Sequence, residues 1–192
     1  MTKGDVTRAK IVSEALSQSV IIGLEGVSLG PLAEQLGLSK SGLYAHFKSK
    51  EALQVAVLEE AIERFKRAVV IPGLRRPAGR ARLRVLFTKY LDWISGDHEA
   101  GGCPFTVFVQ EYDDRPGVLR EMLSASQREW RELLGRSVSE AVRSKEIRSD
   151  LEPAQTAFEL VGIALSYQMA QRLLGEKGAR RRAMTAFERL ID

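Results

Sequence analysis

Residues 36–53 read LGLSKSGLYAHFKSKEAL, and this stretch decides how the rest of the chain is interpreted. Gly37 is a natural stop for a preceding helix, because a residue without Cβ adopts positive φ at little cost. Ser39 can then N-cap a new short helix. Ser49 can cap another one, with Glu51 in its first turn, where a negative charge favours the helix dipole. The stretch therefore predicts two helix starts close together, the first of them directly after a tight turn.

Two further helices precede this stretch, from about residue 5 to 22 and from Ser28 to Leu36. Short helices cannot each be stable alone, so they must share one small core. We expect that core to contain Val12, Leu16, Leu32, Leu36, Leu43, Phe47 and Leu53. A helix, a glycine-containing turn and a short helix with a polar first turn form the helix-turn-helix layout, whose second helix enters the major groove of DNA.

The first turn of the short helix, from Lys40 to Gly42, is small and polar and can approach a groove closely. Gly42 would cost about 1 kcal/mol in an ordinary helix interior. Either it occupies a tolerant helix start, or a side chain there would push the backbone away from DNA, and we favour the second interpretation. Lys40 and Tyr44 could contact bases or phosphates. Arg8, Lys48 and Lys50 are better suited to phosphate.

The motif around this helix resembles the DNA-binding domain of TetR-type transcriptional regulators over about residues 8–55. The resemblance rests on an ordered set at fixed offsets, namely Gly37, Ser39, Leu43-Tyr44, His46-Phe47 and Lys50-Glu51-Ala52-Leu53. It implies an all-α homodimer with an N-terminal DNA-reading domain and a variable C-terminal ligand domain. It also implies that Lys40, Ser41, Gly42, Tyr44 and His46 lie at the DNA and that Lys50 meets a phosphate. The full set of expected DNA-binding residues is Arg8, Ser28, Ser39, Lys40, Ser41, Gly42, Tyr44, His46, Lys48 and Lys50. Ser19 departs from the pattern, because the family often has Phe there.

Composition and charge agree with this interpretation. The chain has 192 residues, of which 44% are hydrophobic and 28% charged, and a net charge of +4, which is compatible with nucleic acid without requiring it. No apolar run approaches the roughly 18 residues of a membrane span, and no signal peptide is visible. One cysteine excludes an intramolecular disulfide and supplies no metal-ligand set. We expect a cytoplasmic protein without cofactor or metal.

The remaining residues predict helices only, about nine in the whole chain. Helix 4 is expected over residues 49–70, where Pro72 and Gly73 end it, and the later helices over residues 79–95, from 104 to about 112, 116–144, 153–174 and 179–191. We predict a DNA-binding domain over residues 1–54 and a ligand-binding and dimerisation domain over residues 55–192.

Several isolated features have simpler explanations than a site. The arginines at 75, 76, 80, 82 and 84 begin about a helix length from Lys50, so we interpret them as a solvated face rather than a second DNA surface. Cys103 could be a redox-sensitive thiol at a helix start, but a small buried residue is the preferred interpretation. His46 and His98 have no metal-binding neighbours in the sequence, and we place His98 in a loop.

Aromatic and thioether side chains concentrate in the predicted ligand domain. Such stripes are often core, yet ligand pockets are also mostly apolar with a few polar groups. We expect an apolar or aromatic effector to contact Trp93, Phe105, Phe108, Tyr112, Met122, Trp130, Tyr167 and Met169. The same positions could alternatively form a docking surface for a protein partner.

The last two predicted helices carry excess apolar surface, and the first of them, helix 8 over residues 153–174, is apolar nearly all round. A helix without a polar face must be covered on every side. We therefore expect a symmetric interface with a second copy, formed by Phe158, Val161, Leu165, Met184, Phe187 and Ile191. Burial inside one monomeric core is the alternative.

Together with these observations, the resemblance to TetR-type regulators implies a ligand-responsive transcriptional regulator, most simply a repressor. Two DNA-reading domains would bind half-sites of a palindromic operator, and an apolar small molecule between helices 4 and 8 would change their spacing. The alternatives are an activator of the same fold or a ligand-blind partner-docking protein with a DNA-binding domain. An enzyme is disfavoured, because no catalytic or metal constellation is visible in the sequence.

Overall fold

The computed structural model describes residues 2–96 and 102–192, and the regular structure within these residues is entirely helical. The described residues form nine helices, which confirms the predicted all-α class. They are α1 Lys3–Ile22, α2 Leu29–Gln35, α3 Lys40–His46, α4 Lys50–Phe65 continued by Lys66–Val70 and Ile71–Leu74, α5 Arg80–Ser95, α6 Pro104–Tyr112, α7 Val118–Arg143, α8 Pro153–Gln168 continued by Met169–Leu173, and α9 Ala179–Ile191. His98, which we expected in a loop, lies outside the described residues.

Helix α4 extends beyond the predicted end at Val70. Residues Lys66–Val70 form a π-helical turn, in which the amide of Ile71 donates to the carbonyl of Lys66, and the helix continues to Leu74. Pro72 follows directly after this wider turn. Proline lacks the N–H and clashes with the preceding turn of a regular α-helix, and a π-turn changes the register of the ladder at that point. The proline therefore coincides with a change of helical register instead of a helix end.

The chain packs into two compact units, and each contains residues from two stretches of sequence. The first unit comprises Met1–Arg64 and Glu99–Ala125, and the second comprises Phe65–His98 and Ser126–Asp192. The predicted domains, residues 1–54 and 55–192, are divided by function. Their boundary therefore differs from the boundaries of these two packing units.

In the first unit, α1 packs against α2 and α6, and α2 packs against α3. The predicted core residues are buried except Leu36, which is half-buried. Ser19, the departure from the family pattern, is fully buried, and its hydroxyl donates to the Leu16 carbonyl at 2.8 Å. A buried hydroxyl with a backbone acceptor is satisfied, so the serine fits within the core.

In the second unit, α8 packs against both α5 and α9, and the π-turn of α4 packs against α5. Phe87 and Phe187 stack with ring centroids 4.8 Å apart. Arginines of the run we interpreted as a solvated face form ion pairs inside this unit: Arg80 with Glu188 and Asp192, Arg82 with Glu140, and Arg84 with Glu188. Arg75 and Arg76 are exposed. Most of the run therefore joins α5 to α7 and α9.

Candidate nucleic-acid interface

The turn between α2 and α3 has the backbone geometry that its glycine predicts. Gly37 adopts φ +65°, and the amides of Gly37 and Leu38 donate to the carbonyls of Glu34 and Ala33. This pair of hydrogen bonds is a Schellman motif, which ends a helix and satisfies its last carbonyls. The motif sets the direction in which α3 leaves α2.

Ser39 caps helix α3 as predicted, because its Oγ accepts the amide of Gly42 at 3.0 Å. A Cβ on Gly42 would lie only 3.0 Å from this capping oxygen. A side chain at position 42 would crowd the capping hydroxyl. This is a structural reason for glycine at this position, and neither sequence interpretation included it. Ser49 caps α4 through the amide of Ala52, whereas Ser28 occupies the N-cap position of α2 without a side-chain hydrogen bond to it.

Helix α3 divides cleanly into a buried and an exposed face. Leu43 is fully buried, and Phe47 directly after the helix is 2% exposed. Lys40, Ser41 and Tyr44 are exposed, and half of the Tyr44 side-chain surface is accessible. The predicted residues outside the helix, Arg8, Ser28, Ser39 and Lys48, are exposed, whereas Gly42, His46 and Lys50 are half-buried. A polar face at the start of a short helix is what base and phosphate contacts require.

Two of the cations predicted to bind phosphate have intramolecular contacts. The guanidinium carbon of Arg8 lies 4.9 Å above the Phe47 ring, a cation–π geometry. Lys50 Nζ lies 2.7 Å from Glu25 Oε1 and also donates to the Glu25 carbonyl. Lys50 thus holds the loop between α1 and α2, a role that the sequence prediction did not include.

This loop is also fixed from α4 and α6. Gln54 Nε2 donates to Glu25 Oε2 at 3.0 Å, to the Leu24 carbonyl and to the Tyr112 hydroxyl, which itself donates to Glu25 Oε2 at 3.2 Å. We call Glu25, Lys50, Gln54 and Tyr112 the Glu25 network. Next to it, Glu111 accepts the amide of Leu24 at 2.7 Å.

The Glu25 network shifts the pKa of two of its members in opposite directions. The hydrogen bond from Lys50, followed by that from Gln54, lowers the pKa of Glu25 below its usual 4.5. Burial, followed by the negative charge of Glu25, raises the pKa of Tyr112. The phenol therefore stays neutral and the carboxylate charged at neutral pH, so that both keep their hydrogen bonds.

Sequence reasoning identified Lys50 and Tyr112 in other roles and missed Glu25, Gln54 and Glu111. One signal was present in the sequence, because Gln54 directly follows Leu53 on the buried side of the predicted helix 4. In the structure Gln54 is 5% exposed. A buried amide needs polar partners nearby. The partners of Gln54 lie up to 58 residues away in sequence, so no local pattern identifies them.

The expected effector-binding residues fall into both packing units. Phe105, Phe108, Tyr112 and Met122 belong to the first, and Trp93, Trp130, Tyr167 and Met169 belong to the second. Most are buried, with Trp93 and Met122 half-buried. Met169 is 54% exposed, which removes it from the interior and places it on the surface of α8.

The expected dimer-interface residues also divide by burial. Val161, Phe187 and Ile191 are buried within the second unit, so they belong to its own core and are not available to a partner surface. Phe158 and Leu165 are exposed, and Met184 is half-buried. Four exposed apolar side chains of α8 lie along one line with an exposed glycine among them, and we call this line the α8 stripe: Phe158, Gly162, Leu165, Met169 and Leu173.

Within residues 2–96 and 102–192, no cluster of three His, Cys, Asp or Glu side chains could hold a metal ion. Nor is any helix in the described part of the chain both long and apolar enough to cross a membrane. Cys103 is buried at the start of α6.

Within the first unit, a Schellman turn leads from α2 into a short helix with an exposed polar face, which is the helix-turn-helix arrangement of DNA-binding proteins. Comparison with known families agrees. Residues 11–57 match the family described as bacterial regulatory proteins of the tetR family, and residues 79–187 match the tetracyclin repressor-like C-terminal domain. The chain belongs to the TetR family of transcriptional regulators, with an N-terminal DNA-binding domain and a C-terminal ligand-binding domain. Members of this family are DNA-binding proteins and not enzymes.

The individual proteins that this chain resembles share 20–27% sequence identity with it. The HTH-type transcriptional activator FasR of Mycolicibacterium smegmatis is 27% identical over 128 residues, which are 64% of this chain and 55% of FasR. A TetR regulator from Chloroflexus aurantiacus superposes with a TM-score of 0.86 at 25% identity, over 99% of this chain and 94% of that one. AibR, solved with isovaleryl coenzyme A and operator DNA, has a TM-score of 0.70 at 20% identity, over 85% and 84% of the two chains. The match therefore spans little more than half the length of FasR, and AibR supports the fold alone.

Proposed function

We propose that the protein is a homodimeric repressor that binds a palindromic operator and is released from it by a small apolar effector. The exposed face of α3 carries this proposal, since Lys40, Ser41 and Tyr44 are accessible while Leu43 fixes the helix from below. Lys40 and Tyr44 contact base edges or phosphates, and Arg8 and Lys48 contact the phosphate backbone. Lys50 reaches a phosphate only if it exchanges its bonds to Glu25, so we assign it first to the loop.

Footprinting across the DNA upstream of the protein's own gene tests this function. We expect two protected half-sites with two-fold symmetry, centred about one helical turn or a multiple of it apart. Added salt should weaken the protection steeply, because phosphate contacts release counterions. Absence of a protected palindrome even at low salt would contradict repression of the neighbouring gene.

Dimerisation through the α8 stripe is the second part of the proposal. A line of exposed apolar residues on one helix supports contact with an equally apolar surface, such as the same helix of a second copy. At Gly162 a Cβ would meet open space. The glycine lets a second helix approach closely at the middle of the stripe. A second copy brings two recognition helices to one operator.

The dimer is tested with two leucines of equal exposure. Leu165 in the stripe and Leu74 at the end of α4 are both 47% exposed. Leu165→Asp should give a monomer in analytical ultracentrifugation, because it buries a charge in the interface. Leu74→Asp should remain a dimer. If both variants stay dimeric, the α8 stripe is not the interface.

Effector control is the third part. We propose that the effector occupies the second unit against the end of α4 and favours a form of the dimer in which the spacing of the recognition helices does not fit the operator. AibR, which has this fold, was solved in complex with both isovaleryl coenzyme A and operator DNA, so this fold can hold a small molecule as well as an operator.

Activation is the alternative that one observation favours, because FasR is a transcriptional activator. The two modes differ in where the operator lies. A repressor site overlaps the promoter and added protein lowers transcript yield in vitro, whereas an activator site lies upstream of the promoter and added protein raises it. An in vitro transcription assay on the footprinted DNA distinguishes them.

A further inference from the structure

One buried polar atom in the second unit stands apart from the rest. Trp130 is 4% exposed. Its indole Nε1 is buried and, among the described residues, has no hydrogen-bond partner. Other buried polar side chains are satisfied locally, such as Ser137 and Thr156, whose hydroxyls donate to the carbonyls of Leu133 and Glu152. A buried donor without an acceptor is costly, so its presence needs an explanation.

The unpaired N–H belongs to an aromatic cluster, which we define as Phe65, Tyr90, Trp93 and Trp130. The Trp130 ring centroid lies 5.1 Å from that of Phe65 and 5.2 Å from that of Tyr90, both in edge-to-face geometry, and Phe65 meets Trp93 in the same way at 5.6 Å. Trp93 is half-buried, so the cluster reaches the surface at this residue. Because aromatic rings pair in edge-to-face or offset-stacked geometry, the rings of this cluster favour a flat aromatic ring as a ligand.

The cluster also lies at a special point of α4. Phe65 is the last residue of its α-helical part, and the π-turn Lys66–Val70 begins at the next residue. Single π-turns within α-helices frequently occur at functional sites. A molecule that displaces Phe65 would therefore act on α4 where its hydrogen-bond ladder already changes register.

We infer that Trp130 is the polar anchor of the effector site, and that the effector is a flat apolar molecule whose single carbonyl-type oxygen accepts the Trp130 Nε1–H. This inference rests on the proposed ligand control and specifies its chemistry. The rings of the cluster bind the apolar part of the molecule, and the indole N–H selects the position of its acceptor. A hydrocarbon of the same shape leaves the N–H unpaired and is rejected, because a site built around a buried donor discriminates against ligands that lack the acceptor.

Matched probes test the anchor without knowledge of the natural effector. 2-Acetylnaphthalene carries a ketone oxygen, and 2-isopropenylnaphthalene has nearly the same shape with a CH₂ group in its place. Biphenyl analogues of both compounds extend the panel. The chain has two tryptophans, so ¹⁵N-indole labelling gives two N–H resonances, which Trp93→Phe assigns.

In the wild type we expect the ketones to shift the Trp130 indole proton downfield, as a new hydrogen bond does, and to bind roughly tenfold more tightly than the alkenes. Trp130→Phe retains a ring at this position and lacks the donor, so this preference should disappear. Trp93→Phe changes a ring of the cluster and so affects both affinities, but the ratio between ketone and alkene should remain. Thermal unfolding of both variants verifies that they are folded.

Three results would overturn the inference. One is a Trp130 resonance that no ketone moves although ketones bind. Another is equal affinity for ketone and alkene in the wild type, and the third is an unchanged ketone preference in Trp130→Phe. These results leave DNA binding and ligand control standing, whereas a wild type that binds no member of the panel contradicts the apolar-effector proposal and the anchor together. DNA binding, measured separately by footprinting, is independent of both.

Discussion

The Glu25 network and the aromatic cluster differ in how they treat buried polar atoms. In the network, Gln54, Tyr112 and Glu25 satisfy one another and hold the loop that leads into the helix-turn-helix. In the cluster, Trp130 keeps an N–H without a partner among the described residues. A fully paired network rigidifies its surroundings, whereas an unpaired donor is available to an incoming acceptor. Under the proposed function, the network keeps the DNA-reading part rigid and the aromatic cluster is the place where an effector acts.

The largest effect should come from the residue that holds α3 in place. Phe47→Ala should lower the free energy of unfolding by about 3–5 kcal/mol, because it removes a buried aromatic ring. Denaturant unfolding measures this change. Tyr44→Ala is the matched control, since it removes an exposed ring just three residues earlier and should change stability by less than about 0.5 kcal/mol. Equal destabilisation by both variants would mean that α3 does not have the two faces described.

The exposed face should matter for DNA and hardly at all for stability. Lys40→Ala and Tyr44→Ala should each weaken operator binding roughly tenfold, and Lys40→Ala should also flatten the salt dependence by about one counterion if it meets a phosphate. Fluorescence anisotropy on the footprinted operator measures both quantities. Lys177→Ala, which removes an exposed cation from the second unit, serves as the control. Unchanged affinity in both α3 variants would remove α3 from the interface.

A smaller effect should follow from loosening the Glu25 network. Tyr112→Phe removes the hydroxyl shared by Glu25 and Gln54 and should destabilise the fold by about 0.5–1.5 kcal/mol. Tyr44→Phe, an exposed phenol, should be neutral. If Tyr112→Phe is neutral as well, the network contributes no rigidity and the contrast with the aromatic cluster weakens.

The smallest effect concerns pH. Because the folded-state pKa of Glu25 is lowered, its contribution to stability is complete above its ordinary value of 4.5 and is lost as the pH falls through the lowered value. The carboxylate is half exposed, so the contribution should stay below about 1 kcal/mol. Glu25→Gln should therefore reduce the acid-side slope of an unfolding midpoint measured against pH. If Glu25→Gln keeps the same acid-side slope as the wild type, groups other than Glu25 cause the acid sensitivity.

Much of the DNA-reading part could be predicted because its determinants are local. Ser39 caps α3 by accepting the amide of Gly42, three residues ahead, and Gly37 ends α2 two residues before Ser39, so both signals can be recognised in a short stretch. The pairing of Arg80 with Glu188 joins residues 108 apart, and no periodicity predicts which acid an arginine meets. The same limit explains why an apolar stripe placed Phe187 at a dimer interface, although Phe87 covers it inside the unit. Pro72 was misread for a different reason, since a π-turn accommodates it within a continuing helix.

Sequence selection from a random duplex pool tests the central claim most directly. The wild type should enrich a palindrome whose half-sites lie about one helical turn or more apart. The double variant Lys40→Ala with Tyr44→Ala, verified to be folded by its unfolding midpoint, should enrich none. Enrichment of the same palindrome by the double variant, or of no palindrome by the wild type, would contradict the assignment of α3 as the recognition helix.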